Sequence, residues 1–282
     1  MNTKEIDTIS YITDSKLPDA DYVINPYVGC PHKCIYCYAE FMKRFTNHTE
    51  DWGEFIDIKI CKKPMNFSRI SPNETILIGS VTDAYNPFEK KYEITRKILS
   101  ELVSCKSKIE ILTKSDLVLR DIDIIKQIRN IKVGISLNTL DDSFRKQTEP
   151  RAASIERRID ALRQFKEAGI ATYLFMSPIF PVISDYKAII EKSNGYFDYV
   201  CFENLNLRGA YLPRVLNFIQ INYPDISPLY NKIYKDKDIS YWEALKKEIS
   251  EYCESNKVDY RMYFYHDLIK KQKNVKKNII NK

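Results

Sequence analysis

Three cysteines in one short segment carry the clearest chemical signal of this sequence. Cys30, Cys34 and Cys37 have the spacing Cys-x3-Cys-x2-Cys within residues 25–39, Asn-Pro-Tyr-Val-Gly-Cys-Pro-His-Lys-Cys-Ile-Tyr-Cys-Tyr-Ala. Iron–sulfur clusters and structural zinc ions are normally held by four protein ligands. Because no fourth cysteine lies nearby, the trio predicts a metal site with one open coordination position, and an open position is where chemistry takes place.

The residues around these cysteines suit a tight loop that closes over a bound group. Gly29 allows the backbone to approach that group closely, and Pro31 stiffens the turn. Tyr36 and Tyr38 flank Cys37, where their rings can exclude solvent or stack on an adenine.

A zinc site is the alternative interpretation of the loop. His32 would complete a set of four ligands with the three cysteines, although its place between the first two leaves its ring little freedom to turn inward. The aromatic residue before the third cysteine favours a cluster. The remaining cysteines are scattered singly and are expected to be small buried hydrophobic residues: Cys61, Cys105, Cys201 and Cys253.

Composition indicates an ordinary packed protein of the reducing cytoplasm. The chain has 282 residues, of which 44% are hydrophobic, enough for one large domain with an appendage or for two modest ones. No apolar run approaches the roughly 20 residues that cross a membrane, and the polar N-terminus does not resemble a secretory signal. Seven cysteines with one clustered trio do not form a paired extracellular framework.

The net charge of +6 is concentrated at the C-terminus. Residues 270–282 hold six lysines and no acidic residue, so the rest of the chain balances 38 basic against 38 acidic residues. A basic tail of this kind is predicted to be a disordered, solvated end. A nonspecific anchor for nucleic acid is the less favoured interpretation.

The sequence alternates short β-branched runs with longer amphipathic stretches, which predicts an α/β fold with a parallel sheet and right-handed crossovers. Predicted strands cover residues 22–25, 75–80, 108–113, 132–138, 170–176 and 199–204. Predicted helices cover residues 37–45, 92–103, 119–129, 155–168 and 185–192. Six units are too few for an eight-fold barrel. In a partial barrel, ligands are expected at the carboxyl ends of the strands.

The flanking regions are predicted to be separate from this barrel. Residues 1–21 form a lead-in, residues 22–205 the barrel, residues 206–269 a C-terminal α/β extension, and residues 270–282 the tail. Within the barrel, residues 43–72 are expected to run over it as an extended segment. The extension is predicted to contain helices at 211–221 and 241–254, a connection at 222–240 and a strand at 258–264, and to pack against the barrel mouth.

The cysteine segment and three further motifs occur in a consistent order along the chain. They are Asn-Pro-Tyr-x-Gly-Cys-x-His-x-Cys-x-Tyr-Cys-Tyr-Ala from Asn25, Thr-Asp-x-Tyr-x-Pro-x-Glu from Thr82, Thr-Lys-Ser-x-Leu-Val-Leu-Arg-Asp from Thr113, and Glu-Pro-Arg-Ala from Glu149. Together they resemble the spore photoproduct lyase-related group of radical S-adenosylmethionine (SAM) proteins over residues 22–205. The resemblance implies a partial (βα)6 barrel. It also implies that Cys30, Cys34 and Cys37 hold a [4Fe–4S] cluster whose fourth iron is chelated by SAM.

The resemblance implies that residues at the strand ends contact SAM. Their chemistry suits the task, because Lys114 can pair with the SAM carboxylate, and Asp83 with its ammonium group or ribose. Ser136 can bond either end through its hydroxyl. The predicted cofactor contacts are Tyr36, Tyr38, Thr82, Asp83, Lys114, Ser136 and Arg151.

The predicted activity is reductive cleavage of SAM to a 5′-deoxyadenosyl radical that takes hydrogen from an unidentified substrate, with an electron donor such as flavodoxin or ferredoxin. A zinc-bearing nucleic-acid-binding protein is the alternative from another class, and a DNA-lesion lyase the alternative within the enzyme class. In spore photoproduct lyase a cysteine ahead of the Ser/Thr-Asp pair returns hydrogen to the product. Ser80 occupies that position in this chain, so efficient repair of the spore thymine lesion is not expected.

Overall fold

The structure, a computed structural model, describes residues 1–264. The predicted tail 270–282 and the last residues of the predicted extension lie outside the described residues. The strands of residues 1–264 are β1 (Asn2–Thr8), β2 (Ile12–Asp14), β3 (Tyr22–Ile24), β4 (Tyr27–Val28), β5 (Phe55–Cys61), β6 (Thr75–Ile78), β7 (Lys108–Thr113), β8 (Ile131–Ser136), β9 (Ala171–Ile179), β10 (Tyr199–Asn204) and β11 (Tyr260–Met262).

Helices connect these strands. The α-helices are α1 (Glu89–Tyr92), α2 (Ile94–Leu102), α3 (Ile122–Ile125), α4 (Asp142–Thr148), α5 (Ile155–Glu167), α6 (Tyr186–Lys192), α7 (Tyr211–Asn222), α8 (Ser227–Tyr234) and α9 (Ser240–Ser255). Three 3-10 helices cover Tyr38–Phe45, Asp116–Asp121 and Pro224–Ile226. The helix predicted at 119–129 is therefore two short pieces, one 3-10 and one α-helical.

The predicted parallel sheet is confirmed. Eight strands form it in the order β2-β3-β6-β7-β8-β9-β10-β11. From β3 to β11 all neighbours are parallel and follow chain order, and β2 is antiparallel to β3 at one edge. Helices occupy the crossovers, as parallel pairing requires. Because β3 and β6 to β11 are parallel, the carboxyl ends of these seven strands lie at one end of the sheet.

The two faces of this sheet differ in chemistry, because side chains alternate along each strand. One face is apolar and covered by helices such as α5, which packs on β8 and β9. The other, here called the inner face, carries polar and aromatic side chains. On it the Tyr173 and Tyr199 rings stack at 5.3 Å, and the Arg261 guanidinium lies 4.4 Å from the Tyr199 ring centre. A Cβ on Gly134 would lie 2.1 Å from the Tyr173 ring, so this crowding requires glycine.

A second, three-stranded sheet has the order β1-β5-β4. The segment predicted to run over the barrel contributes β5, which pairs in parallel with β1 and antiparallel with β4. The lead-in thus supplies β1 to this sheet and β2 to the larger one.

The two edges of the large sheet meet through side chains. Asp19 lies in the loop between β2 and β3, at one edge. Its carboxylate lies 3.8 Å from the Arg261 guanidinium of β11, at the other edge, and accepts a hydrogen bond from the Tyr263 hydroxyl. This contact closes the open side of the barrel.

The C-terminal helices pack both in the helical layer and, as expected, at the barrel mouth. In the helical layer α9 contacts α6 through a hydrogen bond of 3.0 Å from the Tyr186 hydroxyl to Glu248. At the mouth, Arg214 of α7 reaches the Ile35 carbonyl at 3.4 Å, and the Tyr230 hydroxyl of α8 donates to the Pro181 carbonyl just after β9 at 3.1 Å. The predicted connection 222–240 is wrong, because it contains α8. Its prolines stand in first helical turns, where proline is tolerated.

Among residues 1–264 no helix is both long enough and apolar enough to cross a membrane.

Candidate active site

The cysteine loop follows β4 and is held in a fixed shape at its first residue. Gly29 has a φ of +87°, and a Cβ there would lie 2.4 Å from the Phe55 carbonyl oxygen. The buried Thr82 hydroxyl donates a hydrogen bond of 2.7 Å to the Gly29 carbonyl. Thr82, a predicted SAM contact, thus anchors the loop to the end of β6.

The three thiols of the loop are free and shielded from solvent. Cys30 is buried, and Cys34 and Cys37 are half-buried. Burial and the neighbouring Cys37 raise the pKa of Cys30 to about 12. Burial also raises the pKa of Cys34 and Cys37, and the Lys114 charge opposes that rise at both. These thiols therefore need further positive charge, such as that of iron, to become thiolate ligands.

A segment from the end of α4 to the start of α5, residues 148–153, clasps the loop from one side. The Ile35 amide donates to the Thr148 carbonyl at 3.0 Å, and the Arg151 amide donates to the His32 carbonyl at 3.4 Å. The Tyr36 hydroxyl bonds the Glu149 carboxylate. Backbone and side chain together fix the loop against this segment.

Glu149 and Arg158 form a fully buried ion pair behind Tyr36. Their charged groups are 2.5 Å apart, and neither side chain is exposed. Arg158 also donates to the Ala153 carbonyl at 2.9 Å and the Ser136 carbonyl at 3.1 Å. Burial alone would raise the pKa of Glu149, but Arg158 and Lys114 outweigh it and lower that pKa. Sequence reasoning noted the motif that begins at Glu149 but assigned no role to either residue.

Asp83 joins three parts of the site through one carboxylate. It accepts hydrogen bonds from the Thr113 hydroxyl at 2.6 Å, the Lys114 amide at 2.7 Å and the Tyr85 amide at 2.9 Å. The His32 Nδ1 lies 3.4 Å away. With its oxygens occupied in this way, Asp83 holds the ends of β6 and β7 against the cysteine loop. Its contact with SAM stays a prediction.

His32 is oriented differently from the expectation. Its ring is buried and turned inward towards Asp83, and burial lowers its pKa. The tight loop permits this because Lys33, the next residue, takes a positive φ of 55°. Within residues 1–264 no group of three or more histidine, cysteine, aspartate or glutamate side chains is arranged to hold a metal ion.

Lys114 and Tyr36 are brought together beside the thiols. The Lys114 Nζ lies 5.9 Å from the Tyr36 ring centre. Burial alone would lower the pKa of Lys114, but the charges of Glu149 and Cys34 outweigh it and raise that pKa. A charged ammonium group therefore stands next to the cysteines, where it can meet a carboxylate.

The remaining predicted contacts are dispersed. Ser136 is buried on β8 and donates to the Ser177 carbonyl at 3.3 Å. Tyr38 is 47% exposed, and its hydroxyl donates to the Ser80 carbonyl. The Arg151 guanidinium donates to the Gly53 carbonyl at 3.2 Å and to the Pro31 carbonyl of the cysteine loop at 3.5 Å, so it supports the backbone of that loop.

Asn138 is a site residue that the sequence interpretation passed over in favour of Ser136. It follows β8, its side chain is 1% exposed, and neither its amide oxygen nor its amide nitrogen has a hydrogen-bond partner. Buried polar groups in native proteins are nearly always paired, so an unpaired amide points to a bound ligand or water. By alternation from Ser136 it faces the inner side. The sequence signal that could have identified Asn138 is its position two residues after Ser136, a predicted contact.

The chemistry of the donor set fits an iron–sulfur cluster, although among the described residues the three thiols are not yet grouped around one metal position. Three unbridged, shielded thiols occupy one loop, and the buried Trp52 Nε1 has no partner of normal hydrogen-bond geometry. Burial raises the pKa of the Cys37 thiol, and a contact with that indole opposes the rise, so the indole N–H is placed to meet a metal-bound sulfur.

Comparisons with known proteins give one family model and several relatives. A family model described as the Radical SAM superfamily matches residues 24–191. An uncharacterized protein of Methanocaldococcus jannaschii is 38% identical over 218 residues, covering 76% of this chain and 81% of that protein. An uncharacterized protein of Acidianus two-tailed virus is 29% identical over 252 residues, covering 82% of this chain and 78% of that protein.

Solved structures show the same fold. A mutant of spore photoproduct lyase with dinucleoside spore photoproduct superposes with a TM-score of 0.57 at 17% identity, covering 79% of this chain and 65% of that one. Streptococcus suis SuiB bound to S-adenosylmethionine gives 0.55 at 19% identity, covering 85% of this chain and 49% of that one. The chain thus spans less than two thirds of the length of either protein.

Proposed function

Because this chain belongs to the radical SAM superfamily and is a radical SAM enzyme, we propose that it holds a [4Fe–4S] cluster through Cys30, Cys34 and Cys37. The observation that carries the proposal is the loop of three free, shielded thiols beside the charged Lys114. The chemistry that a bound cluster supplies is one-electron reduction of the SAM sulfonium, which yields methionine and a 5′-deoxyadenosyl radical that takes hydrogen from a substrate.

The residues of the chain bind and orient SAM. Lys114 supplies an ammonium group beside the thiols for the SAM carboxylate, in a charge-assisted hydrogen bond. Tyr36 is fixed by Glu149 and offers its ring face as a wall. The amide of Asn138 has both a donor and an acceptor free for ribose or adenine. The exposed Tyr38 stands where it can exclude water from the radical.

Reductive cleavage of SAM tests the proposal directly. Anaerobically reconstituted protein is expected to be brown with the broad visible absorption of iron–sulfur proteins. With dithionite and SAM it should release 5′-deoxyadenosine and methionine. Cys34→Ala should lose the colour and both products, whereas the matched variant Cys105→Ala, at a buried cysteine outside the loop, should keep them. Colourless, zinc-loaded wild-type protein would support the zinc-bearing alternative instead.

Lesion repair is a second candidate, favoured by the likeness to spore photoproduct lyase. One residue argues against it. Ser80 stands at the position predicted for the hydrogen-donating cysteine, and its hydroxyl is engaged with the Asn25 side chain at 2.9 Å. An aliphatic O–H bond is much stronger than an S–H bond, so serine is a poor hydrogen-atom donor.

We therefore expect the wild-type protein to cleave SAM without efficient repair of the spore thymine lesion. The assay incubates reduced enzyme, SAM and the lesion dinucleotide and follows release of the thymine dinucleotide. Multiple turnovers would establish repair as the function.

A further inference from the structure

Three exposed aromatic side chains, here called the aromatic row, lie on the first 3-10 helix, directly after the cysteine loop. Tyr38 is 47% exposed, Phe41 44% and Phe45 67%. The same helix turns the smaller Ala39 and the more flexible Met42 inward, against the apolar cluster beneath it. Because large apolar side chains normally take the buried side of a helix, this inverted arrangement indicates a surface that a ligand covers.

The geometry of the helix places the aromatic row in line with an arginine. Side chains three residues apart in a 3-10 helix lie above one another, so Tyr38, Phe41 and Arg44 share one side. The Tyr38 and Phe41 rings are 6.5 Å apart and within 23° of parallel. The Arg44 guanidinium lies 5.4 Å from the Phe41 ring centre and 4.6 Å from that of Phe45. At a rise of about 2.0 Å per residue, Tyr38 to Arg44 spans about 12 Å, the length of about three bases stacked about 3.4 Å apart.

The helix carries positive charge that other side chains do not neutralise. Lys43 and Arg44 make no ion pair among residues 1–264, whereas Glu40 of the same helix is paired with an arginine of α7 at 3.1 Å. Glu50 and Glu54, which follow the helix, are each paired with a basic side chain. A guanidinium that stacks on aromatic rings keeps its N–H edge available for a phosphate.

The place where the described chain ends is a second, independent observation. β11 is parallel to β10, so the chain leaves the sheet at its carboxyl end. The aromatic row lies at the same end, because the Tyr38 hydroxyl donates to the Ser80 carbonyl just after β6. Residues 265–282 follow, with six lysines and no acidic residue in 270–282. At about 3.3 Å per residue this segment can extend about 60 Å, enough to reach the row. Its charge favours a polyanion over a protein as the partner.

We propose that the aromatic row binds an unpaired nucleic-acid strand as the substrate of the enzyme, an inference that rests on the proposed function. Bases stack on the exposed rings without regard to sequence, because every base has a π face. Arg44 and the lysines beyond residue 264 meet phosphates. The row begins one residue after Cys37, so it leads the strand to the radical. One hydrogen atom passes from a carbon of the strand to the 5′-deoxyadenosyl radical, which leaves 5′-deoxyadenosine and a radical on the strand. A duplex keeps its bases stacked on one another and offers no free face to the rings.

Binding of fluorescent oligonucleotides tests the surface. Phe41→Ala/Phe45→Ala should weaken single-strand binding by about tenfold or more, as loss of base-stacking rings usually does. Its dithionite-driven SAM cleavage without nucleic acid should be unchanged. The matched control Ile221→Ala/Ile239→Ala removes side chains that are 68% and 50% exposed outside the row, and it should bind as the wild type does.

The salt dependence of binding tests the lysines. Lys276→Gln/Lys277→Gln should reduce the slope of log affinity against log salt concentration by about 0.7 for each lysine that meets a phosphate. Lys246→Gln/Lys247→Gln on α9, where Lys247 pairs with Glu251 at 3.7 Å, is the matched control and should keep the wild-type slope.

Isotope transfer tests whether the bound strand is the substrate. Reduced wild-type enzyme with SAM and a deuterated single strand should form deuterated 5′-deoxyadenosine. At subsaturating strand, Phe41→Ala/Phe45→Ala should form about tenfold less. Deuterated DNA and RNA strands are supplied separately, so the label shows which of the two the enzyme uses.

Each other outcome overturns the proposal. Unchanged affinity in Phe41→Ala/Phe45→Ala, an equal loss in the isoleucine control, or loss of dithionite-driven cleavage in the phenylalanine variant would each do so. Tight binding without label transfer from either strand would exclude nucleic acid as the substrate, and an unchanged salt slope would exclude the lysines from the site. A wild-type dimer that the phenylalanine variant abolishes would assign the row to a second copy of the chain. Absence of SAM cleavage by the wild-type protein with dithionite would instead refute the proposed function, so the two failures are distinguishable.

Discussion

At the scale of single residues, Asp83 and Asn138 show two uses of a buried polar group at the carboxyl ends of parallel strands. The Asp83 carboxylate is occupied by donors from the protein, so its main work is to hold the loops together. The Asn138 amide has no partner at all. The sequence interpretation named Asp83 as a SAM contact and passed over Asn138, because sequence chemistry alone does not show which polar groups the fold itself satisfies.

Asn138→Ala should weaken SAM binding while leaving the free energy of unfolding unchanged or slightly higher, because the amide makes no hydrogen bond in the protein. Asn86→Ala is the matched control. Asn86 is equally buried but donates to the Asp83 carbonyl and accepts from the Phe88 amide, so its loss should cost about 1–3 kcal/mol of stability. Calorimetric SAM titration and urea unfolding measure the two effects. Equal destabilisation by both variants would contradict the ligand role of Asn138.

Lys114→Ala should weaken SAM binding by about 1.5–3 kcal/mol, the usual worth of a charge-assisted hydrogen bond, with cluster content unchanged. Lys132→Ala removes another lysine from the inner face, one that lies beside Glu110 and Tyr199 instead of the thiols. That control should leave SAM affinity as in the wild type. Unaltered SAM affinity in Lys114→Ala would show that Lys114 does not contribute to SAM binding.

At the scale of elements, the cysteine loop depends on backbone geometry at Gly29. Gly29→Ala should abolish cluster incorporation, because the new Cβ meets the Phe55 carbonyl at 2.4 Å in addition to the strain of a positive φ. Gly169→Ala separates the two effects. Gly169 has a φ of +75° with nothing within 4 Å of its added Cβ, so it should cost only the strain, about 1–2 kcal/mol. Iron content and thermal unfolding report the difference, and full iron loading of Gly29→Ala would contradict the steric account.

The sequence predicted most elements of the large sheet, and the exceptions have physical causes. The strands at 108–113 and 199–204 agree with β7 and β10, because each is a short β-branched or aromatic run. The helix α8 was missed because prolines around its start suggested a loop. The clasp between the cysteine loop and residues 148–153 could not be predicted, since it joins residues that are 113 positions apart and leaves no local pattern.

At the scale of the whole molecule, the buried pair Glu149–Arg158 links stability to pH. The pKa of Glu149 is lowered below its usual 4.5 in the folded protein. Its contribution is therefore fully present above that value and is lost as pH falls through the lowered pKa. Glu149→Gln leaves Arg158 buried without a counter-charge, which should cost about 3–5 kcal/mol near neutral pH.

The gap in unfolding free energy between wild type and Glu149→Gln should narrow as pH falls below about 4.5, because the carboxyl of the unfolded wild type then binds a proton while the folded one stays charged, and the gap should close as pH falls through the lowered pKa of the folded protein. Urea unfolding at neutral and acid pH measures it. Glu156→Gln changes an exposed residue on the same helix as Arg158. Its unfolding free energy should differ little from that of the wild type at either pH. A gap that stays constant with acidity would show that the charge of Glu149 is not what stabilises the fold.

The clasp also fixes when the cysteine loop can take its final shape during synthesis. The strands from β3 to β10 pair with their neighbours in chain order, so the sheet can assemble progressively as the chain leaves the ribosome. The cysteines are synthesised early, but the hydrogen bond from the Tyr36 hydroxyl to Glu149 can form only after Glu149 has been synthesised, 113 residues later. On the proposed function, cluster delivery therefore follows the synthesis of residue 149, when β3 and β6 to β8 have been made but β9 to β11 have not. A nascent chain stalled before residue 149 should accept no stable cluster, in contrast to zinc fingers, whose metal organises the fold from the start.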